Sequence, residues 1–343
     1  MKKLIFSVAL LSAALSASAE EHPLWMRYPA ISPDGTTIAF AYKGDLYSVS
    51  VNGGEARQLT THAAFDSHPV WSPDSKKIAF QSNREGSLDI FVIDAKGGAP
   101  TRLTTNSGSE TPIAFADNDH VLYSASLQPT AQSIIFGDNT FPQVYKVSTK
   151  GGRPELFSTL TMENISIAKN GDILYHDKKG YEDPWRKHQK SPIARDIWLK
   201  SNGKFAKQTT FAGEDRSPVW TSDEKSFFYL SEQDGTFNIY RRSLNSSSDK
   251  QITHHKGNPV RFLTASSADL LCYGYDGEIY TVKEGGEPQK VNISITTDND
   301  APSLVRQIKS WGATEISVSP DAKEVAFVMH GDVYVTSVEY TTT

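Results

Sequence analysis

The heptapeptide Pro-Ala-Ile-Ser-Pro-Asp-Gly at residues 29–35 returns as Pro-Val-Trp-Ser-Pro-Asp-Ser at residues 69–75, forty residues further along the chain. Related runs begin at residues 112, 218, 258 and 316, and a degenerate copy, Asn-Ile-Ser-Ile-Ala-Lys-Asn-Gly, occupies residues 164–171. A repeat of about 40 to 50 residues is typical of β-propellers and solenoids. The contents of one repeat decide between these folds.

Each repeat contains four short apolar or β-branched runs separated by turn residues. Ser-Pro-Asp-Gly suits a type I turn, because proline presets φ at the second position and aspartate bonds back to the backbone. Ile-Ala-Phe at residues 38–40 and Asp-Leu-Tyr at residues 45–47 follow this turn and are too short for helices. A Gly-Gly pair at residues 53–54 then turns the chain into a fourth strand that ends in Leu-Thr. Four antiparallel strands per repeat predict one blade of an all-β propeller.

The repeats predict the organisation of the whole chain. We expect a signal peptide at residues 1–19, a six-bladed β-propeller at residues 20–291, a connector at residues 292–315 and an incomplete blade at residues 316–343 that begins a second propeller. The last repeat has three strands and no fourth. In the alternative, residues 23–28 supply the missing strand and close a single seven-bladed ring, which would remove an exposed edge. The long polar connector favours the six-bladed ring.

The N-terminus has the features of a secretory signal. Two basic residues, Lys2 and Lys3, precede an apolar run at residues 4–15, and Ala-Ser-Ala at residues 17–19 resembles a cleavage site. A membrane anchor is the alternative, but the apolar run is shorter than the roughly 18 to 20 residues that span a bilayer. We therefore predict export to the periplasm without a membrane span.

Composition excludes several classes of partner and site. The 343 residues are 38% hydrophobic and 22% charged, which is typical of a folded chain. Thirty-five basic against 40 acidic residues give a net charge of -5, which argues against nucleic acid as a partner. The single cysteine, Cys272, excludes an internal disulfide framework and a metal site with several cysteine ligands from this chain.

The sequence lacks the common catalytic and cofactor motifs, so we predict no catalytic residue, no metal and no cofactor in this chain. There is no Gly-x-Ser-x-Gly elbow and no His-Glu-x-x-His zinc motif. The acidic runs at residues 117–119 and 298–300 lack the glycine and glutamate of a calcium loop. Cys272 alternates with apolar neighbours, so a buried small side chain is expected rather than a nucleophile.

One polar insertion, at residues 176–195, interrupts a blade where packing does not require its residue types. It contains Trp185, Arg186 and Lys187, our candidate substrate-binding residues. The two cations can pair with a carboxylate, and the indole can cover an apolar side chain. A solvated basic loop is the alternative interpretation.

The series Pro-x-Trp-Ser-Pro-Asp-Gly, Ile-Ala-Phe, Asp-Ile-Tyr and Gly-Gly-Glu-x-x-x-Leu-Thr resembles the propeller repeats shared by TolB and tricorn-type proteases. TolB would add a small α/β domain before its propeller, whereas here the first repeat follows the signal almost at once. Residues 181–192 resemble an insertion in exported bacterial tricorn-like serine peptidases. The resemblance covers essentially the whole mature chain.

The tricorn resemblance implies a function for a chain without its own active site. In that family a six-bladed propeller precedes a second propeller and a catalytic half with a PDZ region and a serine, a histidine and an acidic partner. It implies that this chain is a substrate gate and product guide for a serine peptidase acting on oligopeptides or unfolded chains, with oligomerisation through the C-terminal half. The alternative is a stand-alone TolB-like periplasmic propeller that binds a protein partner. The gene sequence after Thr343 would distinguish the two.

Overall fold

The computed structural model describes residues 23–126, 141–181, 186, 188, 190–244, 248–296 and 311–339. Every regular element in these residues is a β-strand. Among them there is accordingly no helix of the length and apolar character that a membrane span requires. The chain divides into two compact units, residues 1–296 and residues 297–343.

In the first unit, six four-stranded antiparallel sheets follow one another along residues 27–290, each built from one continuous segment with its strands in chain order. Blade 1 contains β1 (Arg27–Ile31), β2 (Thr37–Tyr42), β3 (Asp45–Ser50) and β5 (Arg57–Gln58), and the short strand β4 (Gly54–Glu55) precedes β5. Blade 2 contains β6 (Asp66–Trp71), β7 (Lys77–Ser82), β8 (Asp89–Asp94) and β9 (Thr101–Arg102). Blade 3 contains β10 (Glu110–Asp117), β11 (His120–Ala125), β12 (Gln143–Ser148) and β13 (Glu155–Ser158).

The remaining three blades have the same order of strands. Blade 4 contains β14 (Met162–Ile167), β15 (Ile173–Asp177), β16 (Ile197–Ser201) and β17 (Lys204–Lys207). Blade 5 contains β18 (Asp215–Trp220), β19 (Ser226–Ser231), β20 (Asn238–Ser243) and β21 (Asp249–Gln251). Blade 6 contains β22 (Arg261–Ala265), β23 (Leu271–Tyr275), β24 (Glu278–Val282) and β25 (Gln289–Lys290).

The first strands of the blades lie next to one another around a common axis. They contact in the order β1, β6, β10, β14, β18, β22 and back to β1. At the last junction, Ile31 N donates to Thr264 Oγ1 at 3.1 Å and Ser267 N donates to Pro33 O at 2.8 Å. The sheets therefore form a closed ring, and the predicted all-β propeller architecture is confirmed. Arg27 and Tyr28, which the seven-bladed alternative assigns to the missing strand, belong to β1 of blade 1.

After blade 6 the chain returns to blade 1. The short strand β26 (Ile293–Ser294) pairs in parallel with β4, and Gly54 N donates to Asn292 O at 2.8 Å. Gly53 has a φ of 84°, and a Cβ there would lie 2.4 Å from Asn292 O, so this close approach requires glycine. The pairing joins the last blade to the first without exchanging a strand of either sheet.

The Ser-Pro-Asp-Gly turn is closed by its own polar side chains. Gly35 N donates to Ser32 O at 2.8 Å, as a type I turn requires. Ser32 Oγ donates to Asp34 Oδ1 at 2.5 Å and accepts from Thr37 N at 3.0 Å. The Ser32 hydrogen bond lowers the pKa of Asp34 despite the opposing effect of partial burial. The same serine or threonine to aspartate bond occurs at Ser72 and Asp74, Thr221 and Asp223, and Ser319 and Asp321.

A threonine just after the fourth strand bonds to the third strand. Thr60 Oγ1 accepts from Leu46 N at 2.9 Å and donates to Asp45 Oδ1 at 3.3 Å. The backbone bond to threonine recurs at Thr104 with Ile90, Thr209 with Ile197, and Thr253 with Ile239. This contact joins the Leu-Thr motif to the Asp-x-Tyr motif and explains why both motifs recur in the repeats.

The core lies between neighbouring blades. Phe40 and Val49 of blade 1 share one apolar cluster with Cys272 and Ile279 of blade 6. Tryptophans of the repeat also bond across junctions, since Trp71 Nε1 donates to Ala30 O at 2.8 Å and Trp220 Nε1 to Ser166 O at 3.1 Å. The repeated aromatic residues therefore hold blades together.

The second unit contains a three-stranded antiparallel sheet. Its strands are β27 (Glu315–Val318), β28 (Glu324–Met329) and β29 (Asp332–Ser337). Phe327 and Tyr334 stack with ring centroids 5.5 Å apart, while Ile316 and Val333 are 70% and 71% exposed.

Candidate functional site

The innermost strands carry an irregularity at the same place in most blades. In five blades the pairing with the second strand shifts after the strand begins, and a residue with left-handed φ lies at the shift. These residues are Tyr28 (53°), His68 (55°), Asn164 (46°), Ser217 (51°) and Phe262 (59°). In blade 3 the corresponding residue is Pro112, whose ring forbids positive φ. Such bulges redirect a side chain, and left-handed non-glycine residues persist where their surroundings require them.

Three of the five residues form what we call the aromatic arc: Tyr28, His68 and Phe262. The Tyr28 ring lies 3.7 Å from His68 and 4.7 Å from Phe262, measured between ring centroids. His68 belongs to blade 2 and Phe262 to blade 6, the two neighbours of blade 1. Tyr28 therefore joins the innermost strands of three blades, and it also packs against the apolar cluster between blades 1 and 2. All three residues are half-buried, and each lies on one of the innermost strands, which surround the axis.

His68 contributes to the arc as a neutral ring. Burial lowers the pKa of His68 to about 4, so its imidazole is uncharged near neutral pH. His68 Nδ1 lies 3.0 Å from Ser67 Oγ, which in turn accepts from Gln81 Nε2 at 3.0 Å. Burial also raises the pKa of Tyr28, more than the nearby Arg27 lowers it. The arc therefore has no ionised ring at physiological pH.

The other two residues, Asn164 and Ser217, form what we call the polar arc. Ser217 Oγ donates to Asn164 Oδ1 at 3.0 Å across the junction of blades 4 and 5. Ser217 N donates to His176 Nδ1 at 3.1 Å, so the proton of the neutral imidazole lies on Nε2. His176 Nε2 then donates to Glu163 Oε2 at 3.1 Å. The backbone of the left-handed Ser217 is thus held by a buried histidine.

A buried ionic network supports the polar arc from behind. Arg195 Nε bonds to Glu163 Oε2 at 3.0 Å and Arg195 Nη1 to Glu214 Oε1 at 3.3 Å. Arg216 Nε bonds to Glu214 Oε2 at 2.8 Å. Although burial opposes ionisation of Glu163, the His176 bond and the Arg195 charge hold its pKa well below the usual range. Burial lowers the pKa of His176, against the effect of Glu163. The network fixes the geometry of the polar arc.

The sequence-predicted binding residues lie in the insertion of blade 4, between β15 and β16. Trp185 and Lys187 fall outside the described residues, and Arg186 is exposed. At the base of the insertion Lys179 Nζ donates to Ala194 O at 2.6 Å and contacts the Asp196 carboxylate.

The insertion also contacts the next blade. His188 N donates to Glu232 Oε2 at 2.6 Å, just after β19 of blade 5. A cleft of about 420 Å³ lies beside the insertion, lined by Lys190, Lys207 and Phe211 among others. A second polar cleft, of about 660 Å³, lies against blade 2 and includes Arg102 and Asn106.

Cys272 is fully buried in strand β23, and burial raises the pKa of its thiol well above the usual range. This environment keeps the thiol protonated, as expected for a packing residue. Within the ranges given above for the structure, no group of three or more histidine, cysteine, aspartate or glutamate residues is arranged to hold a metal ion.

Sequence reasoning missed the aromatic and polar arcs. A signal was available, because Tyr28, His68 and Ser217 each precede the proline of a repeat and yet differ in residue type. A constant position with a variable side chain indicates a residue that the local contacts within one repeat do not specify. The sequence alone did not indicate that these residues meet at the ring axis.

Comparison with known proteins gives a consistent result. Residues 23–288 match the family described as the tricorn protease N-terminal beta propeller domain. Tricorn protease homolog 1 of Streptomyces coelicolor is 25% identical over 322 residues, which are 91% of this chain and 29% of that protein. The tricorn protease of Thermoplasma acidophilum is 24% identical over 342 residues, covering 94% of this chain and 30% of that protein.

The fold comparison agrees with the sequence comparison. A crystal structure of the tricorn protease superposes with a TM-score of 0.69 at 20% identity, over 92% of this chain and 30% of that chain. This chain therefore spans less than a third of the length of the relatives it matches.

Proposed function

The chain belongs to the tricorn protease N-terminal beta propeller domain family, and on this premise we propose that it gates substrates or guides products for a tricorn-like serine peptidase. The substrates are oligopeptides or unfolded chains. The catalytic residues lie outside this chain, which acts by controlling what moves along the axis of its ring.

The observation that supports this proposal is the set of five left-handed residues on the innermost strands. A non-glycine residue in this conformation costs about 1 kcal/mol or more. Blade 3 takes its place in the ring without one, since Pro112 occupies the position. These residues lie on the strands that surround the axis, where a passing chain would meet them. The cost is understandable if these side chains act on a ligand.

The construction of the ring also supports a gate for unfolded chains. Apolar clusters and tryptophan hydrogen bonds join neighbouring blades, so the axis cannot widen without breaking these contacts. An extended peptide can pass such a ring more easily than a folded domain can. The proposed substrates are therefore unfolded chains and short peptides.

The test is to widen the axis in the full-length protein that contains this chain. Tyr28→Ala removes a ring that contacts both neighbouring blades, whereas Tyr28→Phe keeps the ring and is the matched control. Hydrolysis rates are measured for unstructured peptides of increasing length and side-chain size. We expect Tyr28→Ala to change the ratio of rates between small and large peptides, and Tyr28→Phe to leave it unchanged. The same ratio in all three proteins would contradict a gating role.

The proposal includes a binding role for the insertion of blade 4. We expect Arg186 and Lys187 to hold an anionic group of a peptide, most simply its terminal carboxylate. Replacing both by alanine should weaken binding of free-acid peptides by about 1 to 3 kcal/mol, the scale of a charge-assisted hydrogen bond. Amidated peptides serve as the control and should be nearly unaffected. Equal losses for both forms would indicate a structural loop instead.

The proposal also keeps the export to the periplasm that residues 1–19 predict. A fusion of these residues to a reporter enzyme that is active only outside the cytoplasm tests it. An inactive reporter would contradict export.

A further inference from the structure

The two arcs lie on opposite sides of the ring. In a ring of six blades, blade 1 is opposite blade 4 and blade 2 is opposite blade 5. Tyr28 is therefore opposite Asn164, and His68 is opposite Ser217. The axis has one aromatic side and one side with amide and hydroxyl groups.

The aromatic arc is a continuous apolar surface. Its three rings touch in sequence, and the neutral His68 adds no charge. Phe262 packs against Gly274 of β23, where an added Cβ would lie 3.1 Å from Phe262 Cδ2. The position of Phe262 is thus set by the neighbouring backbone. A surface of this kind takes an aromatic or large aliphatic side chain.

The polar arc offers the groups that a peptide backbone requires. Asn164 is exposed, and a carboxamide has both a hydrogen-bond acceptor and donors, like a peptide group. Its orientation is fixed by the bond from Ser217 Oγ, and Ser217 is held in turn by His176. A backbone amide on this side of the axis would find fixed partners.

We propose that the ring axis is a binding site for an extended peptide segment that carries an aromatic or large aliphatic side chain. The side chain lies against Tyr28, His68 and Phe262, and the peptide backbone faces Asn164 and Ser217. This inference rests on the proposed function for taking a peptide as the ligand. It adds which side chains the ring selects.

The test uses the purified chain and two labelled peptides of equal length and charge. One has a central phenylalanine and the other a central serine, and fluorescence anisotropy gives the dissociation constants. We expect about tenfold tighter binding of the phenylalanine peptide, since burying a large apolar side chain is worth this much. Phe262→Ala should remove most of this preference. Phe205→Ala, at an exposed phenylalanine in β17 of blade 4, is the matched control and should keep it.

A cross-linking experiment tests the same site without any variant of the chain. A peptide with a benzophenone side chain at the central position should label the tryptic fragments 28–43, 58–76 or 262–283, which contain the three residues of the aromatic arc. Labelling confined to other fragments would overturn the inference.

The outcomes separate this inference from the proposed function. Equal binding of both peptides, with Phe262→Ala like the unchanged chain, would overturn side-chain selection and leave passage of peptides along the axis intact. Binding of neither peptide would contradict both proposals. A preference that survives in Phe205→Ala and is lost in Phe262→Ala supports the site.

Discussion

At the scale of single residues, two kinds of position recur in the blades. The Ser32 and Asp34 turn and the Thr60 bond keep the same residue types because each closes a local hydrogen bond. The left-handed position keeps its conformation in five blades and changes its side chain, as Tyr28 and Ser217 illustrate. The first kind of position builds the blade, and the second lies on the innermost strand, next to the axis.

A buried carboxyl provides a test of residue-scale electrostatics. Burial raises the pKa of Glu110 to about 7, more than its contact with Thr104 lowers it. Between the unfolded pKa of about 4.5 and this folded value, the folded chain binds a proton that the unfolded chain has lost. The contribution of Glu110 to the free energy of unfolding therefore falls as pH rises across this range.

Between about pH 5 and about pH 7.5, the Glu110→Gln variant should lose less unfolding free energy than the unchanged chain. The reason is that glutamine has no proton to release in this range. Urea unfolding at the two values measures the difference. Glu287→Gln removes the same charge at an exposed site and is the control. A pH dependence of Glu110→Gln equal to that of the unchanged chain would contradict the assignment.

At the scale of elements, two very short strands add a second connection between the two ends of the ring. Strands β4 and β26 have two residues each, yet they pair the segment after blade 6 with blade 1. Ile293 of β26 also joins the apolar cluster shared by blades 6 and 1. A small parallel pair therefore supplements the side-by-side packing of two complete sheets.

Gly53→Ala tests this pair. The new Cβ would lie 2.4 Å from Asn292 O, so we expect the free energy of unfolding to fall by about 1 to 3 kcal/mol more than in the control. The control is Gly285→Ala, because Gly285 has a similar φ of 80° with nothing within 4 Å of an added Cβ. Backbone strain is thus matched and the clash is isolated. Equal urea midpoints for the two variants would show that the pairing adds no stability.

At the scale of the whole molecule, the blades are also joined through their turns. Asp34 N donates to Ser75 Oγ at 3.1 Å between blades 1 and 2, and Ser222 N donates to Asp269 Oδ1 at 2.7 Å between blades 5 and 6. The closing junction has its own bond from Ser267 N to Pro33 O. These three contacts all lie within the first unit.

A chain ending at residue 296 should keep a folded first unit, because β26 and all six blades remain. We expect the strand content by circular dichroism and a cooperative urea transition to persist. The second unit exposes Ile316 and Val333, so it should be the first region to exchange its amide hydrogens in the intact chain. Loss of folding on truncation would show that the first unit depends on residues 297–343 for its stability.

The sequence by itself determined the repeat, the four strands of each blade and the turns between them. These features depend on contacts between residues close in sequence, such as Ser32 with Asp34 and Thr60 with Leu46. Short polar motifs specify such contacts directly, so they can be predicted without knowledge of the fold.

Only the tertiary structure decided what lines the axis. Tyr28 meets Phe262 because closure of the ring brings the first and last blades together, and His176 supports Ser217 because blades 4 and 5 are neighbours. No local pattern encodes these pairs, since they depend on how many blades complete the circle and on how each bulge redirects its side chain. The sequence therefore determined the blades, and packing of one blade against the next determined the site.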